Sequence, residues 1–306
     1  MGIGFYRPHL PMICPEEFFE KYPLEEGERY LADVQWQTPL YYQSHGMASF
    51  VEGTEDNSNL THIPDMALRQ FRRSYFACMS YVDYLIGTLL DVLDELGLTE
   101  TTIVSFVADH GFHLGENNVV SKYTTHEIAV HVPLIIKVPG LTDGGITSRS
   151  LVESLDIFPT LTAAAGLAIP PPCPERSTDV TLCVEGKSLL PLVVDPDLAL
   201  HNATYSQVSR GRNLTEYSIR TDRIRYVDFA SFKRIPLTNK RLRLELVWNI
   251  NLVYTGFHRK LYDLARDPNE RFNLQDHPDY TAYREHMKNM LRKKFSVIHD
   301  FPIGLS

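Results

Sequence analysis

Between Asp65 and Leu96 the apolar positions Phe71, Tyr75, Cys78, Val82, Leu85, Leu89, Val92 and Leu96 recur at alternating spacings of four and three. That period predicts one stripe of a long amphipathic helix, with Gly97 as its left-handed stop. Thr102 to Asp109 follows as a β-branched, nearly all-apolar run of strand length. A second such run, Val132 to Val138, ends at Pro139-Gly140 and leads through a Gly-containing turn to an amphipathic helix over Leu151 to Ala165. Short apolar runs alternating with helices predict an α/β fold whose strands are buried on both faces of a mostly parallel sheet. Past Leu190-Pro191 the texture changes. Strand-like segments at Thr204 to Val208, Tyr217 to Arg220, Arg225 to Phe229 and Leu244 to Tyr254 predict a small antiparallel sheet. Helical spacing in Tyr283, Met287, Met290 and Leu291 predicts a last helix, Tyr280 to Phe295, packed on that sheet. Residues 15 to 64 carry no sustained period and are expected to form irregular surface structure with short elements.

Composition adds exclusions. The chain has 306 residues, of which 43% are apolar and 22% charged, so it is long enough for one large and one smaller domain and is neither disordered nor fibrous in character. A net charge of -8 argues against a nucleic-acid partner, because phosphate binding needs clustered surplus Lys and Arg. Apolar runs are broken by charge or proline within about ten residues, so no membrane span is expected. Met1 to Pro11 lacks the pattern of a signal peptide. Cys173 and Cys183 bracket the loop PCPERSTDVTLC, where a local bridge is feasible in an oxidising compartment. Cys78 falls on the apolar stripe and is expected to be a buried small hydrophobe. The sequons at Asn59, Asn202 and Asn213 point the same way as the bridge, towards a chain that folds in a secretory compartment.

The candidate chemistry centres on Asp109 and His110, at the carboxyl end of a predicted buried strand, where open α/β sheets bind ligands. A carboxylate oxygen and a neutral imidazole nitrogen there can ligate a divalent cation; the plainer alternative is a turn cap beside a satisfied core histidine. The same segment presents Lys122, whose ammonium can neutralise a tetrahedral oxyanion or can simply be solvated. His113 and His126 are expected to be structural. His9 follows the short apolar run Gly2 to Phe5, expected to be a strand, and its imidazole could protonate a leaving oxygen or hold an anionic one; Arg7 is a weaker second anion contact.

Several motifs together carry a resemblance: SYFACMSYVDYLIGTLLDVLDELG and the Asp109-His110-Gly111 strand end, KYTTHEIAVHVPLIIKVPG, DIFPTLTAAAG, EGKSLLPL and LYDLARDPNERFNL. Nearly end to end, the chain resembles the sulfatase family of the alkaline-phosphatase-like superfamily. FYRPHLPM, DHGFHLGE and the Cys173 to Cys183 loop are most similar to its members that remove 2-O-sulfate from uronic acids of heparan and dermatan sulfate.

The resemblance implies an alkaline-phosphatase-like α/β sandwich over residues 1–194 and a small carboxy-terminal α+β subdomain over 195–306. It implies calcium held by Asp109 and His110, a sulfate contact at Lys122, and at His9 a sulfate contact and acid for the leaving hydroxyl. It also implies a Cys173–Cys183 disulfide, a sulfated glycosaminoglycan as substrate and a lysosomal or secreted location. Family members attack sulfur with a formylglycine made from the cysteine of a C-x-P-x-R motif. None of the four cysteines here lies in that pattern. The family's early metal-binding aspartates would lie upstream of Met1, so the chain is expected to be part of a longer enzyme and inactive alone. The alternatives are a non-catalytic binder of sulfated glycans and a phosphoesterase of the same superfamily, the latter with zinc and a Ser or Thr nucleophile.

Overall fold

A computed structural model describes residues 1–24, 65–174, 180–211, 213–237, 241–252, 258–296 and 299–302. In chain order its helices and strands are α1 (Glu16–Glu20), α2 (Asp65–Glu95), β1 (Val104–Val107), β2 (His113–Leu114), β3 (Val120–Ser121), α3 (Glu127–Val130), β4 (Leu134–Lys137), α4 (Ile157–Ala164), α5 (Pro191–Val194) and β5 (Thr204–Ser209). There follow β6 (Leu214–Arg220), β7 (Ile224–Leu237), β8 (Arg241–Val247), β9 (Lys260–Asp263), α6 (Thr281–Lys294) and β10 (His299–Pro302). These divide into two compact units, Met1–Thr102 with His110–Lys122, and Ile103–Asp109 with Tyr123–Ser306.

The first unit is organised by α2, within one residue of its predicted span. Its end is a Schellman motif: Gly97 sits at φ +67°, its N–H donates to Asp94 O, and the Leu98 N–H donates to Leu93 O. Phe71 and Cys78 from the first half of the stripe, and Leu68 just before it, are buried in the unit's core. The second half differs, with Val92 and Leu96 exposed. By length and composition Met66–Glu95 could cross a membrane, where no such segment was expected. Leu68 and Phe71 at its start are fully buried in protein, whereas 11% of its most apolar window is buried. Gly2 to Phe5, expected to be a strand, is irregular, and Ile3 and Phe5 are exposed. Extended backbone becomes a strand only when a neighbour accepts its hydrogen bonds, and no described residue pairs with it.

In the second unit β1 and β4 coincide with the two apolar runs but pair antiparallel, Val107 opposite Leu134, which corrects the mostly parallel arrangement for this pair. The intervening residues return to the end of β1 that they left, as the Ala108 N–H bond to Pro133 O marks. An all-apolar run encodes coverage of two faces and says nothing of strand direction. Coverage is also incomplete among the described residues: Val107 and Ile135 are exposed, Ile135 by 63%.

The helix expected from Leu151 begins instead at Ile157, after a 3-10 turn over Ser154–Asp156 held by a capping box between Glu153 and Asp156. The fully buried Asp156 carboxylate also accepts from Lys187 N–H at 2.7 Å and faces His201 Nε2 at 2.9 Å, tying the DIFPTL and EGKSLL motifs together. Cys173 and Cys183 are disulfide-bonded, with Cα atoms 4.7 Å apart.

The antiparallel sheet is as expected, and larger. Its order is β10-β8-β7-β6-β5. The 14-residue β7 is its spine, pairing β6 along one edge and β9 and then β8 along the other. Met287 and Leu291 of α6 pack on Tyr217, Ile219, Tyr226 and Leu261 in one core. Tyr283, placed on the packing face by its spacing, is 40% exposed.

Candidate active site

Two segments of the first unit carry candidate residues, and one apolar core anchors both to α2. Leu10, Met12 and Cys14 come from the loop around His9, Leu68, Phe71 and Cys78 from α2, and Phe112, Leu114 and Val120 from the segment His110–Lys122. The His9 loop is closed on itself. Arg7 Nε donates to Ile13 O at 2.6 Å, the Tyr6 hydroxyl donates to Leu10 O at 3.0 Å, and the His9 N–H donates to Tyr6 O. His9 is exposed, its ring 4.7 Å from that of Tyr6, and its Nδ1 lies 2.7 Å from Leu10 O. A carbonyl only accepts, so Nδ1 carries the proton and Nε2 is the nitrogen left to face a ligand.

The segment from His110 folds back through β2 and β3, pairing His113 with Ser121. Gly115, at φ +110°, makes the turn possible, since a Cβ there would meet Leu68 Cδ1 at 2.9 Å. Arg72 of α2, itself buried, donates to Leu114 O at 2.7 Å and pairs with Glu116. His113 is fully buried with Nδ1 3.3 Å from Glu116 O, a structural histidine as expected. Ser121 is held at φ +101°, which L residues seldom adopt, immediately before the half-buried Lys122. Strain of this kind clusters at sites where the surroundings over-determine geometry.

His110 is half-buried and its Nδ1 lies 2.9 Å from Gly111 O, the backbone anchoring that ligating histidines commonly show. Asp109, in the second unit, is exposed just past the end of β1. A hard carboxylate oxygen and an imidazole nitrogen fit a divalent cation as part of a ligand set. Among the described residues no group of three or more His, Cys, Asp or Glu could complete it. A cavity of about 520 Å³ in the first unit is lined by Phe5, Tyr6, Arg7, Cys14, Tyr81 and Leu85 among others, and so reaches the His9 loop.

A polar cluster that spacing could not reveal lies in the second unit. His126 is buried with Nδ1 3.1 Å from Glu270 and Nε2 2.9 Å from Lys260 Nζ, so neutral His126 donates to the carboxylate and accepts from the ammonium. Thr125 donates to Glu216 through both its hydroxyl, at 2.6 Å, and its N–H. Arg210 pairs with Glu216, and Arg225 with both Glu127 and Glu270. The cluster clamps the chain just after Lys122 to β6, β7 and β9. Burial lowers the His126 pKa, and the charge of Lys260 lowers it further. Burial alone would raise Glu216 and Glu270, but Lys260 and Arg210 hold the first at about 2, and His126 and Arg225 the second at about 2. Its members come from six separate stretches of chain, which is why no local pattern marks it. His126 is thus structural, as expected.

Over 92% of its length the chain is 32% identical to iduronate 2-sulfatase of Homo sapiens, and it spans 58% of that protein. Among solved structures it superposes on the phosphonate monoester hydrolase of Silicibacter pomeroyi with a TM-score of 0.68 at 23% identity, covering 95% of this chain and 55% of that one. A protein solved in complex with its substrate D-glucosamine-2-N,6-O-disulfate matches 75% of this chain and 41% of its own, with a TM-score of 0.59 at 24% identity. Those likenesses bear on the fold, which is the alkaline-phosphatase-like α/β type with an antiparallel sheet in its carboxy-terminal part. Residues 2–167, more than half of the sequence, match the family described as Sulfatase, and the chain belongs to the sulfatase family.

Proposed function

We propose that this chain contributes the acid- and anion-binding half of a metal-dependent sulfatase of the iduronate 2-sulfatase type, which hydrolyses 2-O-sulfate esters of uronic acids in heparan and dermatan sulfate. Residues 1–194 would belong to its catalytic domain and 195–306 form its subdomain. The observation that carries this reading is the 32% identity to iduronate 2-sulfatase over almost the whole chain. It gains support from the single core that anchors the segments of His9, His110 and Lys122.

The roles follow from the chemistry. Lys122 brings an ammonium to the sulfate oxygens, where a fixed cation is worth most in a water-poor site. His9, with Nδ1 held by Leu10 O, when protonated would donate Nε2–H to a sulfate oxygen or give that proton to the departing sugar oxygen. Asp109 and His110 would be two of the ligands of a calcium ion, which when bound would offset the negative charge of the sulfate. Bond cleavage also needs a nucleophile that none of the four cysteines here supplies in the expected motif. The Cys173–Cys183 disulfide and the exposed Asn202 and Asn213 sequons support folding along the secretory route to a lysosomal or secreted location.

Titration of the chain with a 2-O-sulfated uronate disaccharide in calcium tests the proposal. Binding that is lost with the 2-O-desulfated sugar, and no sulfate release, is the expected result. Equal binding of the desulfated sugar would remove the sulfate-binding role. Tighter binding of a phosphonate monoester in zinc than of the sulfated sugar in calcium would favour the phosphoesterase reading, which the fold alone accommodates equally well.

A further inference from the structure

The two cysteines outside the disulfide share one core. Cys78 of α2 is fully buried and Cys14, just beyond the His9 loop, is half-buried; both belong to the core built on Met12, Leu68 and Phe71, where each thiol lies within electrostatic reach of the other. Two cysteines of one core can be bridged when their Cα atoms come within about 7 Å. The chain already holds one disulfide, so it is built for a compartment where a second can form.

We propose that Cys14 and Cys78 are a modification site that is oxidised to a second disulfide, stapling the segment that carries His9 to α2. The oxidant is a disulfide, either of a protein oxidoreductase or of glutathione. The Cys14 thiolate attacks one sulfur of that disulfide and expels the other as thiolate. The Cys78 thiolate then attacks the Cys14 sulfur of the mixed disulfide and expels the second carrier thiolate. In sum two cysteine thiols lose two protons and two electrons, and the carrier disulfide becomes two thiols.

The order of attack follows from the surroundings. Cys14 lines the cavity of about 520 Å³ beside Arg7, so a carrier can reach it; burial raises its thiol above the usual range, and the charge of Arg7 offsets part of that rise. Cys78 is enclosed, and burial pushes its thiol up to about 12, which leaves almost no thiolate once the core has closed. The bond therefore forms during folding, and the folded, reduced protein oxidises slowly.

The test is a disulfide map of the whole chain, both secreted from eukaryotic cells and refolded from denaturant in a glutathione redox buffer. Free thiols are blocked with iodoacetamide under denaturing conditions before non-reducing digestion and mass spectrometry. The expected result is a Cys14 peptide joined to a Cys78 peptide beside the Cys173–Cys183 pair. Recovery of alkylated Cys14 and Cys78 together with an intact Cys173–Cys183 bridge would overturn the proposal. A second readout is the melting temperature of Cys14→Ser, the milder of the two substitutions because Cys14 is only half-buried. It should lie several degrees below that of the parent without reductant, and the gap should close in dithiothreitol. Equal melting without reductant would equally overturn it.

Discussion

Protonation state is where individual residues of this chain act. His9 and His110 each commit Nδ1 to a backbone carbonyl, which fixes the orientation of both rings. Lys122→Ala should lower the affinity for a 2-O-sulfated disaccharide about tenfold, the loss of one charge-assisted contact, with no change in the melting temperature. Isothermal titration and a thermal scan on the same sample read both. The buried cluster behaves differently, because its residues hold structure. His126 has a folded-state pKa below its usual 6.5, so the unfolded chain takes up that proton first and stability falls as the pH drops below about 6.5. Glu216 and Glu270, held at about 2, stabilise the fold fully above about 4.5, and that contribution of on the order of 3 kcal/mol each is lost as the pH falls towards 2. All three act in one direction. The melting temperature should be highest near neutrality, lower at pH 5 and lower still at pH 3.5, and Glu270→Gln should flatten the acid limb.

Among the elements, two glycines separate backbone conformation from space. Gly97 has nothing near its missing Cβ but sits at φ +67°, so Gly97→Ala should cost about 1 kcal/mol through the left-handed conformation alone. At Gly186 the limit is space, since a Cβ would lie 2.0 Å from Leu155 O, which belongs to the backbone and cannot swing aside. Gly186→Ala should therefore cost on the order of 3 kcal/mol, seen as a lower urea midpoint than that of Gly97→Ala. The extent of α2 and its stop were legible because a helix writes its period and its cap locally. The strands β1 and β4 were legible as runs, but their antiparallel pairing was not, because direction depends on where the connecting residues return. The delayed start of α4 was hidden for a related reason, since Asp156 holds residues distant in sequence, Lys187 and His201.

For the molecule as a whole the telling feature is apolar surface that the described residues leave exposed. Ile135, Leu155, Phe158 and Leu167 in the second unit and Leu90, Val92 and Leu96 in the first are all exposed. The sheet of β1 and β4 has no third strand among the described residues. Surface of this kind promotes association. Light scattering of the isolated chain should show mass rising with concentration, and Ile135→Lys should reduce it; a monodisperse monomer at all concentrations would contradict that. The chain spans 58% of the human iduronate 2-sulfatase it matches.

Periodicity and composition were enough for α2 and α6, the apolar runs, the antiparallel carboxy-terminal sheet and the buried Cys78, because each depends on neighbours within a few residues or on one burial tendency. The family was legible for a similar reason: its motifs are contiguous stretches of sequence. Strand direction, the clamp of His126, Lys260, Glu216 and Glu270 behind Lys122, and the meeting of Cys14 with Cys78 came only from the folded chain. Each joins side chains or strands far apart in sequence, and such meetings are set by packing in three dimensions, which no local period records.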